Sequence, residues 1–354
     1  MLVHPSIYGW MVKVRVADYS GLALPSGPIR LSHPVEAYNS RDAAGGRVRN
    51  KLIGVMCLAY MAAAAAGQVP SKPRLAIVRQ VDHIIISADT VEDAKALWSL
   101  FSEKLKLPVA WPPAQYEGFF SGGVNAGNVN LEFVYSRDES VESHSTGPPS
   151  TNARFSGLGL EPEPLAQALP ELEQLGLHHG QPDPYQKKDQ SGNKTTLWTT
   201  VTLDDVSKND LDVFLCEYSP DLFRMNNPPR RDIQEHRRYL KDLLRQRGGG
   251  PMGIELVKEI VIGTSDYEAT VRLWQKLLGP DARASGGAWH PAAGPAIRFI
   301  PSASDGIQSI LVRVEDIGRA RRFLQASGLL GRDEKSRVAI GPKKVMGIDV
   351  QFVQ

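Results

Sequence analysis

Of the eight histidines in this 354-residue chain, His83 alone lies in a clear β-branched run, VDHIIIS. On a strand its side chain shares a face with Val81, Ile85 and Ser87. Glu132 stands in NLEFV, a carboxylate flanked by Leu131 and Phe133. A charge buried among such neighbours costs free energy unless a metal or a hydrogen-bonded partner compensates it. An imidazole with a carboxylate suits a divalent Zn, Fe, Mn or Ni ion. Glu217 ends the apolar run VFLCEY. Matching Tyr218 to Tyr135 sets Glu217 against Val134, two residues past Glu132 and on the same face. There it would act as a third ligand or a general base; alternatively it is a strand-end carboxylate in solvent. His178 and His179 fall in a Gly-Pro-rich loop and read as exposed.

Aromatic residues surround these candidates. Trp111, Tyr116, Phe119 and Phe120 precede the Glu132 segment, and Trp198 lies in LWTTVTL. Trp111, Tyr116, Phe120 and Trp198 are the expected substrate contacts, since aromatic walls suit a planar or hydrophobic small molecule. The same residues also suit an ordinary core. There is no phosphate loop, no HExxH zinc pattern and no serine nucleophile elbow.

The elements that must position these groups are repeated. VDHIIISADTVEDAKALW (81–98) aligns without a gap to VKEIVIGTSDYEATVRLW (257–274), so Trp98 recurs as Trp274. LGLEPEPLAQALPELEQLGL (158–177) aligns to ILVRVEDIGRARRFLQASGL (310–329). Each is a β-branched run, a polar turn and a helix-period stretch. Thr90 or Asp89 caps the first helix, and Ser265 or Asp266 its counterpart. Gly176 and Gly328 suit the helix C′ position. Four strand-helix-strand-strand-strand units follow, at about 79–137, 153–219, 254–301 and 308–354. Residues 230–247 read as an amphipathic helix, with Ile233, Leu240, Leu243 and Leu244 inward and a wet basic face.

Residues 47–69 combine basic Arg47, Arg49 and Lys51 with an apolar run and the small residues Ala62 to Ala66. That is the order of a secretory signal, too short for a membrane span. The expectation is a leader at 47–67 and an exported bacterial protein, periplasmic or secreted. Residues 1–46 are then non-native upstream sequence or lack a packed fold. Cys57 would leave with the leader, and Cys216 reads as a small buried hydrophobe. Hydrophobic residues make up 42%, charged residues 23% and net charge is +2. This is ordinary soluble composition with no sign of a nucleic-acid partner.

With the units in place, the chain resembles the vicinal oxygen chelate superfamily, and within it the glyoxalase-like domain proteins. VDHIIISADTVEDAKALW, NVNLEFVYS and VFLCEY carry the resemblance. It implies an α+β fold of four βαβββ modules paired into two tandem barrels. The N-terminal barrel spans 79–219, a linker helix lies within 220–253, and a degenerate C-terminal barrel spans 254–354. It implies that His83 and Glu132 take the ligand positions on the first and fourth strands of a unit. Unit two has no ligand at its first-strand position, near Gly157. In the C-terminal copy Glu259, Arg298 and Gln354 replace His83, Glu132 and Glu217, and Glu259 is expected to pair with Arg298. The functional expectation is a metal-dependent lyase, isomerase or dioxygenase acting on a small oxygenated molecule in the N-terminal cup. The alternative is a metal-free protein that sequesters a small molecule. The oligomeric state is left open.

Overall fold

A computed structural model describes residues 77–115, 119–136, 153–188, 191–208, 211–226, 228–279, 288–291 and 293–354. The expectations for 1–46 and 47–67, and for Tyr116, lie outside the described residues.

The first unit runs β1 (Val78–Ala88), α1 (Val91–Ser99), β2 (Val109–Gln115), β3 (Phe119–Asn125) and β4 (Asn130–Ser136). Thr90 caps α1 by accepting the Asp93 N–H. The helix runs on into a π turn at Leu100–Lys104. The second unit runs β5 (Ala153–Pro162), α2 (Leu165–Gln174), β6 (Asp183–Lys188), β7 (Lys194–Thr202) and β8 (Asp212–Tyr218). Together they form one eight-stranded sheet in the order β2-β3-β4-β1-β5-β8-β7-β6. The two leading strands, β1 and β5, meet antiparallel at its centre.

Two helices follow, α3 (Pro220–Arg224) and α4 (Ile233–Gln246). The second sheet is built from β9 (Ile254–Thr264), α5 (Tyr267–Leu278), β10 (Ala288–Trp289) and β11 (Ala296–Pro301), then β12 (Gly306–Val314), α6 (Ile317–Ala326), β13 (Leu330–Glu334), β14 (Arg337–Ile340) and β15 (Val350–Val353). Its order is β10-β11-β9-β12-β15-β14-β13, with β9 and β12 antiparallel at the centre. The fold is therefore α+β, with two curled sheets of eight and seven strands. Among the described residues the third unit shows two strands after its helix, not three.

Strand alternation divides each sheet into a helix face and a cup face. Ile84, Ile86, Leu131, Phe133, Val213 and Leu215 point to the helices and join one core with Ile260, Phe299, Ile310 and Phe352 of the second sheet. Trp98 and Trp274 sit in equivalent helices, as the repeat requires. Trp274 is buried against Phe299, ring centroids 5.3 Å apart.

Helix α4 departs from expectation. Its Leu240 and Leu244 are buried as expected, but so is His236, and the Arg237 side chain is only 15% exposed. The basic face is not wholly wet. A helix with arginines on both flanks reads the same in sequence whether or not one of them reaches a buried carboxylate.

Candidate functional site

A β-bulge creates the site. Across β1 and β5, Val81 faces Leu160 and His83 faces Gly159, so Asp82 is the extra residue. A bulge breaks the alternation of side chains. Here it puts Asp82 beside His83, Oδ2 to Nδ1 at 2.7 Å. The imidazole lies across β5, against Phe214 at 5.4 Å between centroids. It fits because residue 159 is glycine: a Cβ there would fall inside the ring. Ile85 lies across Gly157 in the same way.

Glu132 comes from β4, one strand over. Its Oε2 is 3.6 Å from His83 Nε2. Its Oε1 accepts the Ser121 hydroxyl at 2.6 Å, and Ser121 accepts the Trp111 indole N–H at 3.0 Å. Trp111 can lie over β3 because residue 123 is glycine, directly opposite it in the ladder.

Helices α3 and α4 cover this cup. Leu222 and Phe223 pack with Trp198, Phe214 and Cys216, and Ile85, Tyr218 and Ile233 close around them. Arg237 reaches from α4 to bond both Asp82 and Glu161. Tyr218 donates to Asp82 at 2.6 Å. Glu161 also accepts from Gln80 at 2.7 Å and Gln234 at 3.1 Å. His83 and Glu132 are 0% and 1% exposed.

The electrostatics follow from burial and pairing. Burial alone would raise the Asp82 pKa; the Arg237 charge and the His83 and Tyr218 hydrogen bonds overcome it and hold the carboxyl well below the usual range. Burial alone would lower His83, but its bond to Asp82 and the two carboxylate charges raise it. Burial raises Glu132 and Glu161, against the pull of His83 and Ser121 on one and of Arg237 on the other. Burial, then the Arg230 charge, lowers His236 to about 4.

The structure thus brings His83 and Glu132 together, with Trp111 and Trp198 on the same face. It does not bring Glu217 to them. Val213 and Leu215 face the helices, and Glu217 shares their parity; its Oε1 accepts the Leu165 N–H at 2.9 Å. It thereby caps α2, whose N-cap Pro164 has no side-chain acceptor. The match of Tyr218 to Tyr135 is wrong by one residue, and a slip of one reverses the face. Tyr135 packs with Ala88, Ala94 and Phe120 on the helix face, whereas Tyr218 faces the cup. Phe120 is therefore not a cup residue either. Sequence reasoning missed Asp82, Ser121, Glu161, Tyr218 and Arg237. The one available signal was the Asp-His pair inside an apolar strand.

The donor set does not fit the expected divalent metal. A catalytic site takes about three protein ligands and keeps a position open. Here only His83 Nε2 and Glu132 Oε2 converge. Both Asp82 oxygens are engaged by His83, Tyr218 and Arg237. The unit-two position, Gly157, has no side chain, and Ile85 fills its space. Glu217 faces away. Among the described residues no group of three His, Cys, Asp or Glu side chains is arranged to hold a metal.

The second sheet answers differently at the same register. His83 lies opposite Asn130 and Ile85 opposite Glu132; Glu259 lies opposite Ala296 and Val261 opposite Arg298. Glu259 and Arg298 form the expected pair, two parallel bonds of 2.7 Å. The Arg298 side chain is 39% exposed. No helix among the described residues is long and apolar enough to cross a membrane.

No family model and no curated protein matches the chain. Solved structures similar to it include a hypothetical protein from Staphylococcus aureus, 11% identical, covering 77% of this chain and 98% of that one, TM-score 0.48. A triple mutant of 4-hydroxymandelate synthase from Streptomyces coelicolor is 11% identical, covering 78% and 93%, TM-score 0.48. Homoprotocatechuate 2,3-dioxygenase from Arthrobacter globiformis is 13% identical, covering 80% and 81%, TM-score 0.45. These are likenesses of fold alone.

Proposed function

We propose that the chain is a metal-independent small-molecule-binding protein of the vicinal oxygen chelate type, taking a small oxygenated ligand into its N-terminal cup. One observation carries this reading: an oriented imidazole and a carboxylate converge in a fully buried position beneath a helical cover. Asp82 fixes the ring through Nδ1, which turns Nε2 toward Glu132. A ligand hydroxyl or carbonyl seated there meets a donor and an acceptor without a metal. The cup is filled by Ile85, Phe214 and the cover residues Leu222 and Phe223, so admission requires α3 and α4 to swing out and Arg237 to leave its carboxylates.

A thermal-shift screen of the EDTA-treated full chain with hydroxy acids, keto acids and phenols tests this. At least one class should raise the unfolding midpoint, and His83→Ala and Glu132→Gln should each abolish the rise. A chain that no such compound stabilises, or a shift that survives both substitutions, contradicts the proposal. A second reading, an acid–base enzyme using the same cup, is favoured by the Asp82–His83 pair and by the raised pKa of Glu132. Turnover lost in His83→Gln with ligand affinity kept separates it from the first.

A further inference from the structure

Two of the four unit helices are followed, just past the C-cap, by a glycine with positive φ: Gly176 at +63° and Gly328 at +66°. In the first unit that place belongs to Lys106, held at φ +60°. The alignment is structural. The Leu177 N–H bonds the Leu172 carbonyl and the Leu329 N–H bonds Leu324, while Leu107 reaches Phe101, one residue further back because of the π turn. A side chain in left-handed backbone is disfavoured, so a lysine where glycine serves elsewhere needs a reason beyond the fold.

Lys106 lines an open groove of about 710 Å³ between the end of α1 and the segment that follows α4, with no cup residue in its lining. Trp98, Leu107 and Val109 give it an apolar wall, and Arg247 and Glu103 stand with Lys106 around it. Val109 is 40% exposed. The duplicated unit supplies a control. Trp274, the counterpart of Trp98, is 1% exposed under Phe299. Trp98 is only half-buried, and its sheltered indole N–H has no hydrogen-bond partner among the described residues. Arg247 spends one N–H on the Lys106 carbonyl at 3.4 Å and forms no ion pair among the described residues. Two cations against one carboxylate leave one positive charge beside an indole surface.

We propose that this groove binds a small amphipathic monoanion, an aromatic body carrying one carboxylate. The ring lies along Trp98 and Val109, and the carboxylate meets Lys106 and Arg247. The site is separate from the cup and does not depend on its function.

Equilibrium dialysis of the full chain against 2-naphthoate and neutral 2-naphthalenemethanol tests the proposal. Naphthoate should bind with a Kd of about 1 mM or tighter, and the neutral analogue about five-fold more weakly. Lys106→Gly should raise the thermal midpoint, since glycine takes this φ freely, and yet weaken naphthoate about five-fold. Arg247→Gln, at an exposed position, should weaken it equally with no change in midpoint. Equal affinity for both probes overturns the proposal, as does binding unchanged in both variants or no binding up to about 5 mM. Loss of binding in Glu132→Gln would place the probe in the cup and overturn it as well.

Discussion

The two sheets place different chemistry at the same register. In the first, His83 and Glu132 are sealed under α3 and α4, and Arg237 neutralises Asp82 and Glu161 from above. In the second, Arg298 and Glu259 pair directly across neighbouring strands, and Arg298 stays partly in water. Each sheet has a carboxylate met by an arginine, Asp82 by Arg237 and Glu259 by Arg298. The difference lies in where the arginine comes from. An arginine on the same sheet makes a finished, solvent-facing pair. An arginine borrowed from a separate helix ties that helix down over His83 and Glu132.

The largest test of that contrast is to remove each arginine. Arg237→Ala leaves two buried carboxylates without their cation and should cost about 3–5 kcal/mol. Arg298→Ala removes a partly solvated pair and should cost about 0.5–1 kcal/mol. Urea denaturation of both variants gives the comparison, and equal losses would erase the distinction between the cups. Gly159→Ala comes next, at about 1–3 kcal/mol, because its methyl group displaces the His83 ring. Its signature is a changed His83 imidazole NMR signal in a folded protein, and an unperturbed ring would show that Gly159 does not make room for it.

The cover should also be sensitive to acid. His236 is neutral and buried, facing Phe223, Arg230, Arg237 and Asp82, with its pKa lowered to about 4. The unfolded chain binds a proton near pH 6.5 that the folded chain takes up only near 4. Stability is therefore lost as pH falls through that window, by about 1–3 kcal/mol from this group. His236→Phe should flatten that limb relative to the parent in denaturation at a series of pH values. Parallel curves would show that His236 does not set it. The smallest effect concerns Glu217. Glu217→Ala should cost about 1 kcal/mol by uncapping α2, and should leave ligand binding in the cup unaltered. A loss of binding with unchanged stability would return Glu217 to the site.

What the sequence showed and hid follows from the same geometry. The β-branched run and the apolar neighbours of Glu132 marked two inward positions on β1 and β4, because period-two alternation is unbroken from His83 to Ser87 and from Asn130 to Val134. The ungapped repeat exposed Glu259 as the counterpart of His83, the match of units added Arg298 as that of Glu132, and the structure shows them bonded. Asp82 was hidden because a bulge breaks alternation at one residue. Glu217 was misplaced because one residue of misalignment reverses a strand's face. Gly157 looked like a missing ligand; with Gly159 it makes the room in which Ile85 and His83 lie down. Arg237 was hidden because its partners, Asp82 and Glu161, are remote in sequence.

The N-terminal cup, as proposed, works without a metal. Its most direct test is elemental analysis of the full chain, expressed with Zn, Fe, Mn and Ni supplied and purified without chelator, alongside thermal unfolding before and after EDTA. The expected result is less than about 0.1 equivalent of any of these metals and a midpoint that EDTA leaves unchanged. About one equivalent of a divalent metal, lost together with stability in His83→Ala, would contradict it.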